Sequence, residues 1–136
     1  MRSINTDICI KEIAYFMIDE GEGLYSPDDF NYLIYIIEKH VHYDTIVIVR
    51  DEKDKITAVC RWNIKDNEAT IHDLIIRKDK RNFKYIQRML AYGLQMWPNI
   101  NNIRWRRAKK YKYRMYRTYN IDKILKGGRL WVAEQK

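Results

Sequence analysis

Between residues 45 and 76 the chain changes from helical to strand periodicity, and that change limits the architectures open to it. Thr45–Val49 reads TIVIV, a β-branched run that suits a pleated surface better than a helix. A charged turn at Asp51–Lys55 leads into a second run, Ile56–Trp62. Lys65-Asp66-Asn67-Glu68 then turns into a third, Ala69–Ile76. Short polar turns between consecutive strands predict an antiparallel meander. The flanks have a different period. Residues 6–19 predict a first helix with Ile10, Ile13, Ala14 and Met17 on one face, broken by the acidic, glycine-containing segment 19–23. Ser26 suits an N-cap and Pro27 the first helical position, while Asp28 and Asp29 complement the positive end of the helix dipole. Phe30, Leu33, Ile34, Ile37 and Val41 follow at helical spacing.

After the meander, Ile86, Met89, Leu90, Gly93, Leu94 and Trp97 predict a third helix closed by Pro98. Asn102–Arg107 reads as a short strand with Ile103 and Trp105 on one side, and residues 109–119 as a basic helix. Gly127-Gly128 turns a final hairpin ending in Leu130-Trp131-Val132. Arg2–Asn5 is the only room for a strand before the first helix. The expected fold class is α/β, more narrowly α+β: one mixed sheet with helices on both faces.

At 136 residues the chain is expected to form a single domain, 1–136, with a core of its own. Cys9 and Cys60 are too few for a disulfide framework, and His40, His42 and His72 have no metal-ligand spacing with them, so no metal is expected. No stretch approaches 18 consecutive apolar residues, and the N-terminus lacks a signal-type apolar core. The expectation is a soluble cytoplasmic protein with no membrane contact. Richness in Ile, Lys, Asn and Tyr suggests an AT-rich genome, bacterial or phage, and a phage accessory or virion-associated protein fits that composition.

Residues 69–97 carry the main family resemblance. A strand, a short basic loop beginning Arg81-Asn82-Phe83-Lys84-Tyr85-Ile86 and an amphipathic helix follow in the order that resembles the acetyl-CoA-binding core of the GNAT N-acetyltransferase superfamily. In that family the loop follows Arg/Gln-x-x-Gly-x-Gly/Ala, and amides at the helix start hold the cofactor's pyrophosphate. Here the arginine is present, while Lys84 and Ile86 stand where the small residues belong. The resemblance covers nearly the whole element order and implies a mostly antiparallel central sheet with about four helices. It also implies acetyl-CoA as cofactor: main-chain groups near Ile76 on the pantetheine arm, Arg81, Asn82, Lys84 and Ile86 around the pyrophosphate, and help from Lys78 and Lys80. Lys84 either blocks the diphosphate or pairs with it.

Tyr116-Arg117-Thr118-Tyr119-Asn120-Ile121 is similar to the family's Tyr-x-x-x-Gly-Phe, with Tyr116 at the position of the general acid and Asn120 at the glycine. Asparagine tolerates the left-handed conformation of a helix end. A general base is expected from His72 or Asp73. Neighbours on a strand face opposite ways, so only one can serve a given cleft. Asp19, Glu20, Glu22 and Tyr25 lie where the family shapes its acceptor pocket and would suit a cationic amine or a basic peptide. The same residues also read as a solvated acidic turn.

Charge placement supports a different class of function. Residues 104–119 hold eight Lys/Arg and no acid, which accounts for the whole net charge of +8. On a helix, Lys110, Arg114 and Arg117 share one face, with Arg106 and Arg107 just before it. Such a stripe, interleaved with tyrosines, would contact nucleic acid or an acidic protein. The chain is therefore expected to be either a divergent N-acetyltransferase or an inactive relative, or else a non-catalytic binding protein working through this patch.

Overall fold

The computed structural model describes residues 2–3, 9–94, 97–105 and 117–122. Six strands form one sheet in chain order: β1 Arg2–Ser3, β2 Ile46–Arg50, β3 Ile56–Lys65, β4 Glu68–Ile76, β5 Asn102–Trp105 and β6 Arg117–Asn120. All neighbouring pairs are antiparallel except β4 and β5, which run parallel. The predicted meander is β2–β3–β4, and β1 occupies the room left before the first helix.

Three α-helices are described: α1 Ile10–Glu20, α2 Phe30–His42 and α3 Phe83–Gly93. α1 and α2 cover one face of the sheet. Ile13, Ala14 and Met17 of α1 meet Leu33 and Ile37 of α2 over Ile46, Ile48, Val59 and Ile75. α3 covers the other face, with Met89, Leu90 and Leu94 packed on Val47, Cys60, Trp62 and Ile71. A parallel β4–β5 pair requires a crossover between them, and α3 is that crossover. Ser26 caps a 3₁₀ turn at Pro27–Asp29, its amide donating to Asp29 Oδ2 at 2.8 Å, and α2 proper starts three residues later than predicted, at Phe30.

Several boundaries differ from those expected. α1 begins at Ile10, and residues 4–8 lie outside the described region. α3 stops at Gly93 rather than running to Trp97, whose amide instead donates to Leu94 O at 2.9 Å. The basic helix expected over 109–119 does not extend to its predicted end, because Arg117–Asn120 is strand β6. Its register sets Thr118 opposite Arg104 and Tyr119 opposite Ile103. Pairing with the β5 edge overrides any helical preference there, so Arg117 does not share a helical face with Lys110 and Arg114. Asn120 is not a left-handed helix end either. It closes β6, and its Oδ1 accepts from the Asp122 amide at 2.9 Å. The remainder of that expected helix and the Gly127-Gly128 hairpin lie outside the described residues. No helix among the described residues is long and apolar enough to cross a membrane.

Candidate functional site

β4 positions the site through two departures from regularity. The first is a bulge: Arg61 faces Asp73 and Trp62 faces Ile71, so His72 is the extra residue of the strand. The bulge turns His72 outward and reverses the inward alternation. Ile71 and Leu74 therefore serve the α3 side, and Asp73 and Ile75 the α1–α2 side. The second departure is a splay. β4 pairs with β5 only through Glu68–Thr70, and beyond Thr70 no described strand pairs with this edge of β4.

A cleft of about 440 Å³ opens beside that unpaired half-strand. His72, Leu74 and Ile76 line it from β4, Arg81, Asn82 and Ile86 from the start of α3, and Trp105 from β5. The end of α1 and the turn after it supply Glu20 and Glu22. The cleft thus brings together seven residues singled out by the sequence: His72, Ile76, Arg81, Asn82 and Ile86, with Glu20 and Glu22 of the expected acceptor pocket. Lys84 is half-buried on the first turn of α3 but does not line it. A second hollow of about 460 Å³, between the end of α3, Trp97–Asn101 and Asn120–Asp122, has Asp122 as its one ionisable lining residue. Among the described residues it offers no cation for a phosphate, so the β4 cleft is the candidate site.

His72 is a suitable proton acceptor. Crowding by the protein and then the Arg61 guanidinium hold it below the ordinary imidazole value, with Asp73 opposing them. Asp73 is not in the cleft. Its carboxylate accepts from Arg61 Nε and from the Tyr25 hydroxyl, both at 2.6 Å, and is almost fully buried on the opposite face. Arg61 Nη1 lies 3.1 Å from His40 Nε2, and His40 Nδ1 lies 2.7 Å from Thr45 Oγ1. Burial, and then the Asp73 carboxylate, push the Tyr25 phenol well above its ordinary value. Tyr25 therefore anchors the α1–α2 segment to the sheet. Sequence reading missed this network, although a charged residue inside the strand Ile56–Trp62 was a signal for it: a buried guanidinium needs partners.

The start of α3 is where the missing glycines matter. Asn82 caps the helix, its Oδ1 accepting from the Tyr85 amide at 2.7 Å, and the Ile86 amide donates to Asn82 O at 3.2 Å. Ile86 lines the cleft where the family has a small residue. Arg81 donates through Nε to Ile76 O at 2.7 Å and through Nη2 to Glu20 O at 3.1 Å, and its Nη1 pairs with Glu22. An amide-bearing arm would run along the part of β4 beyond Thr70, which no described strand pairs. At the diphosphate end the fit runs through the Arg81 guanidinium, since the chain itself already occupies amides of the helix start. Cys60 is no nucleophile, because burial pushes its thiol up. No metal-binding cluster occurs among the described residues. Tyr116, Arg106, Arg107, Lys110 and Arg114 lie outside the described residues, and of Arg117 only its place in β6 is described.

No family model and no curated protein matches the sequence. Solved structures do. A chimera of spermidine N-acetyltransferase SpeG from Vibrio cholerae and hSSAT is similar over 76% of this chain and 68% of its own, at 17% identity and a TM-score of 0.50. A point mutant of spermidine N-acetyltransferase SpeG from Vibrio cholerae is similar over 76% and 67%, at 18% identity and a TM-score of 0.49. Identity this low relates folds and not reactions. The chain has the fold of the GNAT N-acetyltransferases.

Proposed function

We propose that the chain is a divergent N-acetyltransferase that takes acetyl-CoA into the β4–α3 cleft and serves an amine acceptor. One observation carries this reading: the unpaired half of β4 places His72 in the same cleft as Arg81 and the start of α3. The cofactor, when bound, supplies an activated acyl thioester. Main-chain groups of β4 near Ile76 would hold its arm, and Arg81, with Asn82 at the helix start, would meet its phosphates. His72 accepts the proton of the attacking amine, directly or through water. Asp73 acts at a distance, fixing Arg61 and Tyr25 on the far face. Tyr116, outside the described residues, is the proposed proton donor. Glu20 and Glu22 give the cleft an acidic rim suited to a cationic amine.

Thermal unfolding with and without excess acetyl-CoA tests the reading. A ligand at about 100 times its dissociation constant stabilises the native state by about 2.7 kcal/mol. That amounts to a rise of several degrees for a domain of this size. No shift at millimolar acetyl-CoA would sink it.

A second reading rests on the charge of residues 104–119, which equals the net charge of the molecule. This segment, through Arg106, Arg107, Lys110, Arg114 and Arg117, would contact nucleic acid or an acidic protein.

A further inference from the structure

Arg81 is the cation on which the proposed diphosphate site depends, and it is already engaged. Its guanidinium joins the end of β4, through Ile76 O, to the end of α1, through Glu20 O, and pairs with the carboxylate of Glu22. Glu20, Glu22 and Arg81 all line the cleft, so this contact is part of its wall. The backbone of Glu22 is left-handed, with φ of 51°, a conformation unfavourable for a side-chain-bearing residue. Gly23 follows at φ of 84°, where a Cβ would meet nothing within 4 Å. The chain thus accepts a disfavoured conformation at the residue whose carboxylate meets Arg81. Three residues after Glu22, the Tyr25 hydroxyl is bonded to buried Asp73 at 2.6 Å, which fixes the far end of the segment.

We propose that Glu22 is an internal competitor for Arg81: its carboxylate stands in for a ligand phosphate and latches residues 21–24 against the cleft until a polyphosphate ligand displaces it. This rests on the reading of the cleft as a site for a diphosphate-bearing cofactor. The exchange is thermodynamically easy, because the Glu22 side chain is 62% exposed and that of Arg81 35% exposed. Exposed ion pairs are weakly held, and a diphosphate brings Arg81 more charge and more acceptor oxygens than one carboxylate. Motion on release is confined. Glu20 lies in α1 and Tyr25 is anchored, so only the turn between them shifts. The hydrogen bond that marks it is Leu24 N to Gly21 O, 3.0 Å.

The test is a double-mutant cycle read by calorimetric titration with coenzyme A, using the wild type, Glu22→Gln, Arg81→Ala and the double variant. Removing the competitor should tighten binding by about two- to fivefold, the range of an exposed ion pair. The gain should vanish in the Arg81→Ala background, which separates a latch from the general effect of deleting one negative charge. Hydrogen exchange at the Leu24 amide provides a second readout: coenzyme A should accelerate it in the wild type, and Glu22→Gln should do so without ligand. If the wild type binds and Glu22→Gln binds no more tightly, or if the gain persists without Arg81, the latch is overturned and the cofactor reading stands. Binding seen only with Glu22→Gln upholds the latch in its strongest form. Binding by neither protein overturns both.

Discussion

Arginine is a donor only, so the approach of Arg61 Nη1 to His40 Nε2 at 3.1 Å requires that nitrogen to accept. His40 is therefore neutral with its proton on Nδ1, which donates to Thr45 Oγ1, and the threonine hydroxyl faces His40 O at 3.5 Å. Burial, and then the Arg61 charge, lower the His40 pKa to about 4 from 6.5. The folded state thus binds fewer protons than the unfolded state in this window. The stabilisation is complete above pH 6.5 and is lost as pH falls toward 4. Between pH 7.5 and 5 the wild type should lose roughly 2 kcal/mol through this group. Urea midpoints at the two pH values would show it, and His40→Asn should flatten the difference whatever its own stability. His72 titrates in the same direction but to a kinetic end. As a base it works only when neutral, and its pKa is lowered, so the acidic limb of kcat/KM should lie below pH 6.5. His72→Gln should lower kcat/KM by about 10²- to 10⁴-fold and abolish that limb. A limb that survives the substitution would place the base elsewhere.

α3 shows how element boundaries are decided by neighbours. Its apolar spacing continues to Trp97, yet the helix ends at Gly93, the residue that lies against the sheet. A Cβ there would meet Trp62 Cη2 at 3.0 Å and Val47 Cγ1 at 3.2 Å, and Trp62 is fully buried. Gly93→Ala gains up to about 1 kcal/mol of helix propensity against an overpacking cost of about 1–3 kcal/mol. The variant should be less stable by about 1 kcal/mol in chemical denaturation, and an equal or higher midpoint would show that Trp62 can yield. The strands of the meander and the start of α2 were legible because local chemistry specifies them: β-branched runs, polar turns, and Ser26 with Asp29. β6 was not, since nothing in Arg117–Asn120 announces that the β5 edge lies within reach. The site was legible in the same proportion. Arg81 was marked by the resemblance of its loop and His72 by its side-chain type, and both line the cleft. The bulge between Ile71 and Asp73, which shifts the alternation of β4, and the Glu22 carboxylate on Arg81 depend on pairings between distant parts of the chain.

For the whole molecule the decisive quantity is where the charge lies. Outside residues 104–119 the chain balances 18 basic against 18 acidic residues, so its long-range field originates from one segment. A polyanion and a thioester cofactor would respond to that field differently. The polyanion meets several cations at once and releases a counterion for each. The cofactor relies on Arg81 and on contacts of the arm along β4. With about five phosphate contacts on a single strand, affinity for an oligonucleotide should fall about a hundredfold between 50 and 200 mM salt. Stabilisation by acetyl-CoA should change far less over the same range. Charge reversal at Lys110, Arg114 and Arg117 should abolish oligonucleotide binding while leaving the acetyl-CoA shift in place. If instead both responses collapse together, the basic segment is part of the cofactor site, and the two proposed functions reduce to one surface. If oligonucleotide binding survives the reversal, the patch is not where polyanions bind.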